Sequence, residues 1–131
     1  MNFESLLQAA KDVRLRAYAP YSKFNVGAAV RTGDGRVFIG CNVENISFGL
    51  TCCAERVAIF SAIASGTSEI REIAIVADTR EPIVPCGACR QVMAEFAADD
   101  LEIASSTLNG EVCRMKLSEL LPHPKRGILN T

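Results

Sequence analysis

The chain is predicted to be an α/β protein, a three-layer α/β/α sandwich around a mixed five-stranded sheet. Three observations predict it. Apolar residues recur at helical spacing in separate segments, short β-branched runs lie between them, and the two kinds follow one another in the order α-β-β-α-β-α-β-β-α. At 131 residues, 49% of them apolar, the chain has the size of one compact domain spanning 1–131.

Residues 3–19 carry Leu6, Leu7, Ala10, Val13 and Ala17 near helical spacing and end before Pro20, which predicts a first helix. Two apolar runs, 25–31 and 36–42, flank Thr32-Gly33-Asp34-Gly35, a cluster suited to a tight reversal, and predict a hairpin. Helical spacing returns over 53–63 at Val57, Ala58, Ile59 and Ile63, with Gly66 as the stop. Ile73, Ile75 and Val76 mark a buried strand over 70–77, followed by a polar, proline-containing segment up to Pro85. A third helix is expected over 86–97. Strands over 101–105 and 111–115 flank the Asn109-Gly110 turn, and a short helix follows at 117–121. No internal repeat or low-complexity segment is visible.

Charge narrows the function classes. Fourteen basic side chains stand against fifteen acidic ones, and neither sign is gathered into a block, so no nucleic-acid partner is expected. There is no N-terminal export signal and no apolar run of membrane-spanning length, so a soluble, cytoplasmic protein without a membrane partner is expected. In a reducing compartment the six cysteines read as metal ligands or catalytic groups before disulfides.

Pro85-Cys86-Gly87-Ala88-Cys89 opens a predicted helix, placing two sulfurs on one side of a turn, and Cys53 opens another. Helix N-termini lower thiol pKa and favour the thiolate that zinc requires. If both helices follow strands of one sheet, their N-termini can meet at one edge and present three thiolates. Three protein ligands leave a coordination place for water, the mark of a catalytic zinc. Glu55, two residues beyond Cys53, can reach that water as a proton shuttle without being a ligand. The pair C-A-E and P-C-G-A-C fits the signature of zinc-dependent deaminases, in which the glutamate is the acid and base. Two other readings stay open: a closed structural zinc site with Cys52 or Cys113 as fourth ligand, and a thiol-redox protein using Cys86 and Cys89. Cys41, Cys52 and Cys113 otherwise read as small buried hydrophobes, and His123, between two prolines, is not taken as a ligand.

Over nearly its whole length the chain resembles the small, homotetrameric cytidine deaminases. The matching runs are A-Y-A-P-Y-S-K-F-N-V-G-A-A at 17–29, G-C-N-V-E-N at 40–45, C-A-E-R at 53–56, P-C-G-A-C-R-Q at 85–91 and L-L-P at 120–122. The resemblance implies one zinc per subunit on Cys53, Cys86 and Cys89, with Glu55 moving protons as the C4 amine of cytidine or 2′-deoxycytidine is replaced by oxygen, in pyrimidine salvage. It implies that Phe24 packs on the pyrimidine, Asn42 and Glu44 bond the ribose hydroxyls, the Ala54 amide meets the base carbonyl, and Arg56 bonds ligand sulfurs. It further implies a homotetramer with shared active sites. Two departures stand out. Phe48 replaces a tyrosine frequent in the family, removing a hydroxyl near the ribose 5′ side, and the tail at 123–131 lacks the aromatic that often follows L-L-P. A deaminase of another small aminated ring is the alternative within the same chemistry; Asn42 and Glu44 favour a ribose.

Overall fold

The computed structural model describes residues 3–67 and 69–122. Helix α1 (Phe3–Arg14) buries Phe3, Leu6, Ala10 and Val13 along one face, as its spacing requires. It ends at Arg14, short of the residue 19 expected from the apolar pattern. The reason is a competing pairing: the Tyr18 amide donates to Asn42 O at 3.0 Å, and the Glu44 amide donates to Tyr18 O at 2.9 Å. Strands β1 (Val26–Thr32) and β2 (Val37–Cys41) form the predicted hairpin, with Gly35 at φ +86° in its turn. A short 3-10 turn, Phe48–Leu50, precedes helix α2 (Ala54–Ala64). Strand β3 (Ile70–Ala77) has the predicted bounds, and helix α3 (Gly87–Phe96) follows.

Strand β4 (Ala97–Thr107) begins directly after α3, earlier than the 101 read from sequence. Residues 97–100 are Ala-Ala-Asp-Asp and mostly exposed, so they carry no apolar signal; Ala97 is nevertheless paired with Ile70. Strand β5 (Val112–Lys116) and helix α4 (Leu117–Leu120) are the last elements among the described residues.

The sheet order is β2-β1-β3-β4-β5. Strand β1 is antiparallel to both β2 and β3, β4 is parallel to β3, and β5 is antiparallel to β4, so the sheet is mixed. Alternate residues face opposite layers. Ala28, Val30, Ile73, Ile75 and Ile103 pack in the core beneath α2, α3 and α4, whereas Ala29, Ala74, Val76 and Ala104 pack against α1. That is the expected three-layer arrangement. Gly40 lets α2 lie close on β2, since a Cβ there would stand 2.4 Å from the Ala58 amide nitrogen.

Register decides where the helices start. Gly27 pairs with Cys41 and Val26 with Ala77, so the C-terminal ends of β2 and β3 share one edge of the sheet. From each end the chain passes through a loop into a helix, and the N-termini of α2 and α3 converge there. Among the described residues no helix is long and apolar enough to cross a membrane. His123 and the tail at 123–131 lie outside the described residues.

Candidate active site

Cys53 and Cys86 occupy the N-cap positions of α2 and α3, and Cys89 lies in the first turn of α3. Neither N-cap makes the usual side-chain cap hydrogen bond. Their thiols face one another instead: Cys53 Sγ is 3.8 Å from Cys86 Sγ, and Cys86 Sγ is 3.2 Å from Cys89 Sγ. All three sulfurs lie within 4.8 Å of one another. Tetrahedral zinc with bonds of about 2.3 Å spaces its sulfurs roughly 3.8 Å apart, so the donor set fits that ion with a sub-ångström opening between Cys86 and Cys89.

Electrostatics favour a thiolate at Cys53. The Cys53 thiol is pulled down to about 5, chiefly by its hydrogen bond with Cys89, with Arg56 and Cys86 adding to the effect. The Cys89 thiol is pushed up, first by the same bond and then by burial. Arg56 attends the Cys53 sulfur: Nη2 donates to Cys53 Sγ at 3.4 Å and to Thr51 O at 3.3 Å.

Glu55 is 4% exposed in the first turn of α2, and burial raises its carboxyl pKa. The Cys53 charge pushes the same way, and a hydrogen bond with the Cys89 side chain opposes it. A buried carboxyl beside the sulfur cluster can hold a proton and release it to a reacting group. Ala54 is the first residue of α2, fully buried, and its amide belongs to the helix end whose N-H groups lack helical partners.

Asn42 and Glu44 reach the same edge by a different route. Buried Asn42 donates from Nδ2 to Phe24 O and accepts at Oδ1 from the Val26 amide, both at 2.8 Å. The Glu44 carboxylate accepts from the Tyr21 amide at 3.0 Å, the Ser22 amide at 3.1 Å and the Ser22 hydroxyl. The Ser22 hydroxyl is the main reason its pKa is lowered. Together they hold residues 21–26, the segment that carries Phe24, which is 39% exposed. Lys23 beside it has φ +61°, a left-handed backbone that costs a non-glycine residue energy. Val43 exchanges both backbone hydrogen bonds with Cys52, which ties this segment to the start of α2.

A cavity of 380 Å³ opens here, lined by Tyr21, Ser22, Glu44, Asn45, Phe48 and Thr51. Phe48 meets the Tyr21 ring edge-on at 6.2 Å. A roomier cavity of 630 Å³ lies at the opposite end of the sheet, but its Arg31 and Arg71 are ion-paired with its own Glu72 and Glu69. It holds no sulfur, and the chemistry belongs to the first edge.

The remaining cysteines depart from expectation. Cys41 and Cys52 are half-buried and Cys113 is exposed, not small buried hydrophobes. Cys41 and Cys113 lie on the edge strands β2 and β5, which have a neighbour on one side only. Among the described residues neither Cys52 nor Cys113 joins the sulfur trio, and all six cysteines are free. Sequence reasoning did not find the clamp that Glu44 makes on residues 21–22. A glutamate shortly after a strand gives no sign of which distant amides it will meet.

Comparison with known proteins agrees with this geometry. Residues 1–105 match the family model for the cytidine and deoxycytidylate deaminase zinc-binding region. A cytidine deaminase of Halalkalibacterium halodurans is 48% identical over 122 residues, covering 93% of this chain and 92% of the relative. One from Sporosarcina psychrophila is 44% identical over 122 residues, covering 93% and 90%. The crystal structure of cytidine deaminase from Burkholderia pseudomallei superposes with a TM-score of 0.90 at 51% identity, covering 94% of this chain and 98% of that one.

Proposed function

The chain belongs to the cytidine and deoxycytidylate deaminase family, and on that premise we propose that it hydrolyses cytidine and 2′-deoxycytidine to uridine and 2′-deoxyuridine, releasing ammonia. The observation that carries the reading is the sulfur trio of Cys53, Cys86 and Cys89 beside buried Glu55. Zinc held by these sulfurs would supply the Lewis acidity that lowers the pKa of water toward about 7. Glu55 accepts the first proton that water gives up and delivers it to ring N3 as C4 gains a hydroxyl, then takes the remaining hydroxyl proton and passes it to the amine. The C4–N bond then breaks and ammonia leaves.

The other side chains bind and orient. Phe24 offers its ring to the pyrimidine, the Ala54 amide meets the base carbonyl, and Asn42 and Glu44 present polar groups to the ribose. Arg56, already on Cys53, offsets the negative charge that three thiolates leave on a divalent zinc. Leu50, Phe48 and Ile46 are 70%, 75% and 78% exposed beside the site, which supports a homotetramer whose subunits cover one another's pockets. Six free cysteines suit a reducing cytoplasm and a role in pyrimidine salvage.

The test is an ultraviolet assay of cytidine conversion by native protein, by protein treated with a zinc chelator, and by chelated protein given zinc again. Activity that disappears with the metal and returns with it is expected. Conversion untouched by metal removal, or no conversion of any cytosine nucleoside, would overturn the proposal.

A further inference from the structure

Arg90 follows Cys89 directly, and the chemistry above gives it no task. We infer that Arg90 is a positioning residue for Cys86, acting through the Pro85 carbonyl; the inference rests on the reading of Cys53, Cys86 and Cys89 as a zinc site. Arg90 Nε donates to Pro85 O at 2.8 Å, and Nη1 donates to Leu120 O at 3.1 Å. The Arg90 amide donates to Cys86 O at 3.0 Å. One residue therefore holds the carbonyls on both sides of the ligand.

The geometry makes this hold consequential. Pro85 O and the Cys86 amide share one planar peptide, so fixing the carbonyl fixes the bond that leads into Cys86 and the direction its side chain leaves the backbone. A helix entry is ordinarily secured by an N-cap side chain that accepts from the first turn, and Cys86 makes no such bond because its thiol faces Cys89. Cys86 is also the exposed member of the trio, so packing restrains it least. The guanidinium provides the missing restraint.

Its second arm anchors the first. Leu120 lies in the last turn of α4, where carbonyls lack helical partners, while the Leu121 amide is spent on Leu117 O. The fork of Arg90 satisfies Leu120 O and Pro85 O together, joining the metal-ligand turn to an element 30 residues away in sequence. A lysine has a single donor nitrogen and lacks the planar fork with which Arg90 reaches the two carbonyls from separate nitrogens.

The test times zinc release from zinc-loaded wild type, Arg90→Lys and Arg90→Met into excess chromogenic chelator, with thermal unfolding of the same samples recorded. Arg90→Met is expected to release zinc at least tenfold faster, within the about 10–100-fold typical of losing a partner that orients a metal ligand, and Arg90→Lys to fall between. A tie that merely joins α3 to α4 would lower Tm and leave release unchanged; unchanged release in both variants overturns the inference. Failure of both variants to fold would also overturn it, by placing the guanidinium in the fold and not in the ligand's orientation. A wild type that takes up no zinc would remove the metal-site reading itself, a distinct result that takes this inference with it.

Discussion

Asn42 and Phe24 are joined at the backbone: the Asn42 carboxamide donates to Phe24 O at 2.8 Å while its oxygen accepts from the Val26 amide two residues on. The side chain next to the candidate ribose subsite therefore also sets where the exposed Phe24 ring stands. Asn42→Ala leaves the buried Val26 amide and the part-buried Phe24 carbonyl without this partner, at about 1–3 kcal/mol for a fully buried unsatisfied group and less for the carbonyl. Urea unfolding should show that loss, and steady-state kinetics should show KM for cytidine rising. A variant as stable as wild type with unchanged KM would refute both roles.

Glu44 makes the same segment sensitive to acid. Its folded pKa lies below the ordinary 4.5, mainly because the Ser22 hydroxyl bonds the ionised form. The clamp is thus complete above 4.5 and is lost as pH falls through the depressed value. Amide resonances of Tyr21 and Ser22 should titrate together with a midpoint below 4.5, and Ser22→Ala should move that midpoint upward. Titration of these amides at the ordinary carboxylate value in wild type would contradict the clamp.

Much of the fold and of the site was legible because local chemistry and tertiary structure agree there. Cys53 and Cys86 mark the starts of α2 and α3 to within a residue, since an N-cap position and a metal-ligand motif fall on the same cysteine. The hydrophobic pattern of Ile70–Ala77 coincides with the central strand. Where the two levels disagree, tertiary pairing wins. The helical spacing runs on past Arg14, yet Tyr18 is taken up by Val43. Ala-Ala-Asp-Asp at 97–100 has no strand pattern, yet Ala97 is drawn onto Ile70. The clamps by Asn42, Glu44 and Arg90 were illegible, because each depends on backbone groups brought near by folding.

Gly40 should tolerate no side chain. A Cβ there would stand 2.4 Å from Ala58 N and 2.6 Å from Ala54 O, backbone atoms of the helix that carries Glu55. Gly40→Ala is expected to cost about 1–3 kcal/mol, the usual range for overpacking, and to lower kcat by displacing α2. Gly49, whose Cβ would meet nothing within 4 Å, provides the control. Equal Tm values for Gly40→Ala and Gly49→Ala would contradict the close packing of α2 on β2.

Glu55→Gln separates proton transfer from metal binding. The amide keeps the shape of the buried side chain and removes its capacity to exchange a proton. Zinc content should stay at wild-type level while kcat falls by about 10²–10⁴, the range for loss of a general acid and base. A Glu55→Gln enzyme of normal kcat would remove the glutamate from the chemistry.

X-ray absorption at the zinc edge of the purified protein bears most directly on the central claim. Cys53, Cys86 and Cys89 predict three sulfur scatterers near about 2.3 Å and one oxygen near about 2.0 Å. Four sulfurs at the longer distance would contradict it, by closing the coordination place that a water needs beside Glu55.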